Sequence, residues 1–126
     1  ALIALGNMVE VAEEAARELE AQGISTAVIN ARWIKPLDTA MIDFFARGCA
    51  VLCTLEDHVL HNGFGTGVIE HLAEQRITTP VVRIGWPDAF IEHGTIPILR
   101  EKHGLTPRAT VEKVLAALPA TAAVSQ

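Results

Sequence analysis

Three consecutive ionisable side chains, Glu56, Asp57 and His58, run directly into a stretch in which Gly63, Gly65 and Gly67 alternate with Phe64 and Thr66. An imidazole beside carboxylates has the makings of a general base, because a nearby carboxylate orients the ring and favours its protonated form. A glycine-rich turn at a helix start can cradle a phosphate on its backbone amides. Neither chemistry is complete. Thr54 and Thr66 are the nearby hydroxyls, and neither sits in the sharp elbow that exposes a serine-type nucleophile. Val68 stands where a G-x-G-x-x-G motif needs its third glycine, no Lys-Ser/Thr ending makes a Walker loop, and Glu56 and Asp57 would repel a phosphate placed beside them. Asp88 has the offset of a ribose-binding acid but follows the fourth predicted strand without marking its end as clearly as such an acid should. The plainer reading is that the glycines let a helix and a strand pack closely, and that the acid–histidine cluster fixes a domain or subunit contact.

Glu92-His93 repeats the acid–histidine pairing. Trp33, Phe64, Trp86 and Phe90 are large apolar groups placed in loops at predicted strand ends, where they mark either a buried interface or core packing beneath the loops. His61, His71 and His103 fall in loop or helix-face contexts and are expected to face solvent. Cys49 and Cys53 lack a C-x-x-C companion or a histidine at ligand spacing, so they are expected to be buried free thiols rather than zinc ligands.

The elements that must position these groups alternate. Apolar runs at Leu2–Leu5, Ile24–Ala31, Ala50–Leu55 and Pro80–Ile84 predict strands. Helical spacing predicts helices over Met8–Gln22, closed by Gly23, and over Thr39–Arg47, capped by Asp38. A third helix follows the glycines to Arg76. Thr95 and Thr106-Pro107 open two more, with Gly104 between them. Residues 87–94 are too irregular to assign. Strand–helix alternation with short connections implies a mostly parallel sheet with helices on both faces, an α/β/α sandwich. Its crevice lies beyond the carboxyl ends of the strands, and Gly6-Asn7 and Glu56–His58 flank the switch point if the strand order is second, first, third, fourth.

The chain has 126 residues, half of them apolar and 20% charged, with a formal charge of −5. That is one domain, and its mild acidity argues against a nucleic-acid partner. No apolar run reaches the roughly 20 residues of a membrane span, and no signal-peptide pattern opens the chain, so neither membrane nor export is expected. Ala1 begins directly in a strand-like run without an initiator methionine, as a piece of a longer polypeptide would. Residues 1–118 are expected to form the domain and 119–126 a frayed tail.

The segments TLEDHVLHNGFGTGVIEHL (54–72), ARWIKPLD (31–38), RIGWPDAFIEHG (83–94) and LREKHGL (99–105) together resemble the C-terminal domain of the 1-deoxy-D-xylulose-5-phosphate synthases, thiamine diphosphate enzymes of the transketolase superfamily. The resemblance covers residues 1–118. R-x-x-K-P-L-D is shared across the superfamily, whereas E-D-H-V and P-D-x-F-I-E-H-G narrow it to the synthases. His61-Asn62 departs from the small residue and glycine common there, a departure asparagine tolerates because it accepts left-handed backbone.

The resemblance implies the third module of an enzyme that condenses pyruvate with glyceraldehyde 3-phosphate, with thiamine diphosphate and magnesium held by other modules and none bound by this one. It implies a five-stranded mixed sheet whose antiparallel first strand precedes the segment equivalent to Ala1, leaving an exposed edge on the second strand here. It also implies a homodimer, located in a bacterial cytoplasm or plastid stroma. The superfamily's G-D-G motif is absent from the sequence, and no catalytic residue carries over. The expected role of Gly6, Asn7, Glu56, Asp57, His58, Gly63, Phe64, Gly65, Trp86 and His93 is contact with other modules or a second subunit. Two other readings compete: a regulatory small-molecule or anion site in the same crevice, and the corresponding domain of a 2-oxo-acid dehydrogenase β subunit, whose fit to E-D-H-V and F-I-E-H-G is poorer.

Overall fold

The computed structural model describes residues 1–120, so most of the predicted tail, 121–126, lies outside the described residues. The elements run β1 (Leu2–Ala4), α1 (Met8–Ala21), β2 (Val28–Asn30), α2 (Thr39–Gly48), β3 (Leu52–Val59), α3 (Phe64–Glu74), β4 (Val81–Trp86), α4 (Ile96–His103) and α5 (Pro107–Ala117). The strands form one parallel sheet in the order β2-β1-β3-β4, with Leu2 of β1 registered between Val28 and Cys53. This is the order on which the switch-point reading is conditional, and it places the switch point between β1 and β3.

All three residues of β1 are buried because both faces of the sheet are covered, the usual reason for an uninterrupted apolar run in a parallel strand. On one face Leu2, Ala4 and Leu55 pack against Met8, Ala12, Ala15 and Leu19 of α1 and Val111 and Val114 of α5. On the other, Ile3 and Leu52 pack against Ile42 and Ala46 of α2 and Phe64, Val68 and Leu72 of α3. The result is the expected three-layer α/β/α sandwich. β2 forms one edge of the sheet, half-buried at Val28 and Ile29 and exposed at Asn30.

The local punctuation follows side-chain chemistry. Asp38 Oδ1 accepts from Met41 N at 3.0 Å and Thr106 Oγ1 accepts from Ala109 N at 3.2 Å, each satisfying an amide that a first helical turn leaves free. Thr95 occupies the N-cap of α4 without that side-chain bond. Gly23 and Gly104 end α1 and α4 with φ of +80° and +77°, a region that favours glycine.

Four boundaries differ from the sequence reading. β4 runs from Val81 to Trp86 instead of ending at Ile84, so Trp86 is a strand residue paired with Val59 and not a loop aromatic. β2 covers only Val28–Asn30, because Ile24 N is taken by Leu19 O in the turn that closes α1. β3 continues through Glu56, Asp57 and His58 to Val59, carried by pairing with Trp86 across an irregularity between Leu55 and Val59. α3 starts at Phe64, so Gly65 and Gly67 belong to the helix and not to a loop.

Candidate functional site

Alternation along β3 sends Glu56 and Asp57 to opposite faces of the sheet, and each meets a different part of the molecule. Glu56 is 1% exposed. Its Oε2 accepts from Phe64 N at 2.5 Å and its Oε1 from Gly65 N at 3.2 Å. A carboxylate therefore occupies the positive N-terminal end of α3, the place where a phosphate would have bound. Gly63 and Gly65 are there because of close approach: a Cβ on Gly63 would lie 2.6 Å from Glu56 Oε2 and 2.7 Å from Val59 O, and one on Gly65 would lie 2.5 Å from Thr54 Oγ1, whereas a Cβ on Gly67 would meet nothing within 4 Å.

Asp57 faces α1 and α4. Its Oδ2 accepts from Asn7 Nδ2 at 2.6 Å and Arg100 NH2 at 2.9 Å, and its Oδ1 from the indole Nε1 of Trp86 at 2.6 Å. One carboxylate thus ties the β1–α1 turn, the end of β4 and α4 together across the switch point. Burial pushes the Asp57 carboxyl up, but the hydrogen bonds from Trp86, Asn7 and Arg100, with the charge of the last, outweigh it and hold the group below its ordinary value. Gly6 turns the chain there at φ +54°, and Asn7, at the N-cap of α1, directs its amide to Asp57 rather than to the helix amides.

A second cluster borders the first. Glu92 pairs with Lys102 and His103, and these contacts, the Lys102 hydrogen bond foremost, hold its carboxyl down at about 2. His103 in turn meets the edge of Trp86, with ring centroids 5.7 Å apart. The loop 87–95 and α4 are therefore attached to the sheet end largely through polar groups, and α4 buries none of its own residues.

Several sequence expectations are corrected by these positions. Glu92 does not pair with His93, which is exposed and stands outside the cluster, because the loop turns Glu92 along α4 instead. The His58 ring meets Val59 O at 2.7 Å, not the two acids that precede it, since the α3 amides hold Glu56 and the Asn7, Trp86 and Arg100 side chains hold Asp57. Phe64 is a core residue at 2% exposure rather than a loop aromatic, because α3 begins there, while Trp33 and Phe90 remain exposed and Trp86 is half-buried. His71 is not a solvent-facing residue: its Nε2 lies 2.7 Å from Asp43 Oδ1, joining α3 to α2. His103 is likewise held between Glu92 and Trp86, whereas His61 is exposed.

Sequence reading missed Arg100 entirely. Its partner lies 43 residues away in the chain, and no local spacing signals it. Arg83, also missed, reaches from β4 to Leu60 O at 3.3 Å and Thr66 Oγ1 at 3.1 Å, so the Thr66 hydroxyl is engaged in structure. Thr54 Oγ1 and Arg100 Nε are buried without a partner. Both cysteines are free, Cys53 fully buried with its thiol pushed up to about 12 by burial, which leaves it protonated and unreactive. The arrangement holds elements together, and it presents neither an activated nucleophile nor a free anion hole.

The family model described as transketolase, C-terminal domain, matches residues 1–110. A 1-deoxy-D-xylulose-5-phosphate synthase from Methylacidiphilum infernorum is 48% identical over 115 residues, which is 91% of this chain and 18% of that protein. Another from Acidobacterium capsulatum is 45% identical over 125 residues, 99% of this chain and 20% of that protein. The chain spans about a fifth of the length of these curated relatives. Among solved structures, a split-gene transketolase in an inactive β4 tetramer superposes with a TM-score of 0.87 at 39% identity, covering 93% of this chain and 38% of that one. No helix among the described residues is long and apolar enough to cross a membrane.

Proposed function

The chain belongs to the transketolase C-terminal domain family, and on that premise we propose that it is the C-terminal domain of a 1-deoxy-D-xylulose-5-phosphate synthase. In this reading the whole enzyme transfers a two-carbon unit from pyruvate to glyceraldehyde 3-phosphate, with loss of carbon dioxide, in the cytoplasm of a bacterium. The observation that carries the reading is the end-to-end match, 45% identity over 99% of the chain, to a synthase of which the matched part is only 20%.

Thiamine diphosphate and magnesium would supply the carbanion chemistry when bound, and the residues of this chain do not fit them. The amides at the head of α3, where a diphosphate would find donors, are paired with the buried Glu56 carboxylate. The cofactor is therefore assigned to other modules, and the chain contributes position. Asp57 with Asn7, Trp86 and Arg100, and Glu56 with the α3 amides, stiffen the sheet end from which contacts to those modules and to a second subunit would be made. The self-assembly of the split-gene relative supports the second-subunit part of the reading.

A chimera tests it. Replacing the C-terminal fifth of the M. infernorum synthase with this chain should give an enzyme that forms 1-deoxy-D-xylulose 5-phosphate and needs added thiamine diphosphate and magnesium. The isolated chain should take up no thiamine diphosphate in calorimetric titration. A folded chimera that makes no product, or saturable cofactor binding by the chain alone, would overturn the assignment.

A further inference from the structure

Asn62 and Gly63 are a pair of neighbours that can react with each other. Of the asparagines, Asn7 precedes Met8 and Asn30 precedes Ala31, whereas Asn62 precedes a glycine, whose missing side chain leaves the next amide nitrogen open to the carboxamide. Asn62 is exposed, so water reaches it. Its backbone is left-handed, at φ +55°. In that region ψ is about +30 to +60°, which sets the Gly63 nitrogen on the far side of the Cα–C bond from the Asn62 Cβ. The two groups therefore point apart, and only a large rotation about that bond would bring them together. Both ends of the turn resist it. Leu60 N donates to Trp86 O at 2.9 Å, and Leu60 O accepts from Thr66 Oγ1 at 3.0 Å and Arg83 NH1 at 3.3 Å. Gly63 N donates to Leu60 O at 3.3 Å, Gly63 O accepts from Gly67 N at 3.2 Å, and the Gly63 Cα is wedged between the Glu56 carboxylate and Val59 O. His61 and Asn62 are the whole span between these anchors.

We propose that Asn62-Gly63 is a self-modification site, locked while the head of α3 is closed and reacting when it opens. In the open chain the Gly63 nitrogen bonds to Asn62 Cγ and closes a succinimide ring, and the Gly63 amide proton leaves with the side-chain NH2 as ammonia. Water then opens the ring at one of its two carbonyls. Attack at the former side-chain carbonyl gives aspartate, and attack at the main-chain carbonyl gives isoaspartate, whose chain runs on through Cβ and Cγ. No oxidant or reductant takes part. Isoaspartate lengthens the main chain by one carbon next to Gly63, which has no room to shift against Glu56 and Val59. The bonds from the Phe64 and Gly65 amides to Glu56, at 2.5 and 3.2 Å, then cannot re-form as they were. An opening that goes on to isoaspartate is therefore irreversible, and the site records how often the head of α3 has opened.

Ageing of the 126-residue chain at mildly alkaline pH, in native buffer and in unfolding urea, tests it, with peptides mapped by mass spectrometry and isoaspartate separated from aspartate by chromatography. In urea Asn62 should convert well ahead of Asn7 and Asn30, with isoaspartate the larger product. In native buffer conversion at Asn62 should be at least about tenfold slower, because it waits on a local opening. Below the unfolding transition it should rise with urea in step with hydrogen exchange at the Phe64 and Gly65 amides. Asn62→Gly, which accepts the same backbone without a carboxamide, should stay unmodified at this turn in both solvents. The isoaspartate form returned to buffer should exchange the Phe64 and Gly65 amides at least about tenfold faster than parent chain taken through the same cycle. Unfolded chain that converts Asn62 no faster than Asn30 overturns the site, equal rates in buffer and urea overturn the lock, and parent-like exchange in the isoaspartate form overturns the irreversible step. The synthase reading depends on the chimera and is untouched by any of these results.

Discussion

Replacing Asp57 by alanine removes the acceptor shared by Asn7, Trp86 and Arg100. In a buried site each charge-assisted bond would contribute about 1.5–3 kcal/mol. The side chain is 32% exposed, so water takes over part of each bond, and about 0.5–1 kcal/mol per bond is the reasonable discount, near 2 kcal/mol in all. For a chain of this size that corresponds to a melting temperature lower by about 8 °C. The loss should be uneven. α1 and β3 keep their apolar cores, whereas α4 buries no residue and depends on this hub and on the Glu92 pairs. Amide hydrogen exchange followed by mass spectrometry should show residues 87–103 losing protection while residues 8–21 keep theirs, because opening free energies follow local burial. Asp57→Asn, which retains one carbonyl acceptor, should fall about midway. Unchanged exchange over 96–103 in Asp57→Ala would refute the claim that this carboxylate holds α4 to the sheet, whatever the change in melting temperature.

Two further perturbations separate the causes at the head of α3 and at the acid limb. Gly63→Ala should destabilise by about 1–3 kcal/mol, since its Cβ would press on the Val59 carbonyl as well as on Glu56, whereas Gly67→Ala, with nothing within 4 Å of its Cβ, should stabilise by about 0.5–1 kcal/mol; thermal melts shifting in the same direction would sink the close-approach account. The Asp57 carboxyl is held below 3.8 and that of Glu92 near 2 rather than 4.5. Unfolding therefore raises both values and takes up protons. The stability they add is present above the unfolded values and is lost as pH falls through the folded ones, so urea midpoints should drop between about pH 4.5 and 2, and less steeply for Asp57→Asn. Equal slopes for parent and variant would remove Asp57 from the acid limb.

The fold was legible because its signals are local. A run such as Leu2–Ala4 can be buried on both faces only in a covered parallel sheet, and Asp38, Gly23, Thr106 and Gly104 act on amides or turns within a few residues of themselves. The site was legible only in part. That Glu56, Asp57 and the glycines belong together follows from their adjacency, but which face each acid takes depends on β3 continuing to Val59, and that depends on Trp86 across the sheet. Arg100, Arg83 and the Asp43–His71 pair join residues 43, 17 and 28 positions apart, distances at which no periodicity carries information. The pairing of Glu92 failed for the same reason: its neighbour in sequence, His93, faces solvent, and its partners stand on the next helix.

A parallel sheet offers a ligand two things at its switch point, free amides at a helix head and room between diverging loops. In this chain adjacent residues of one strand engage groups at both. Glu56 takes the amides of α3 on one face, and Asp57 draws Arg100 and Trp86 over the gap on the other. Each carboxylate is balanced by groups of the chain itself, so a phosphate arriving there would have to displace a buried or triply bonded anion of its own sign. Strand, charge and glycine meet here as they do in nucleotide-binding folds, with the anion built in. Damage to this segment should accordingly appear first in how the sheet end holds its own loops and α4.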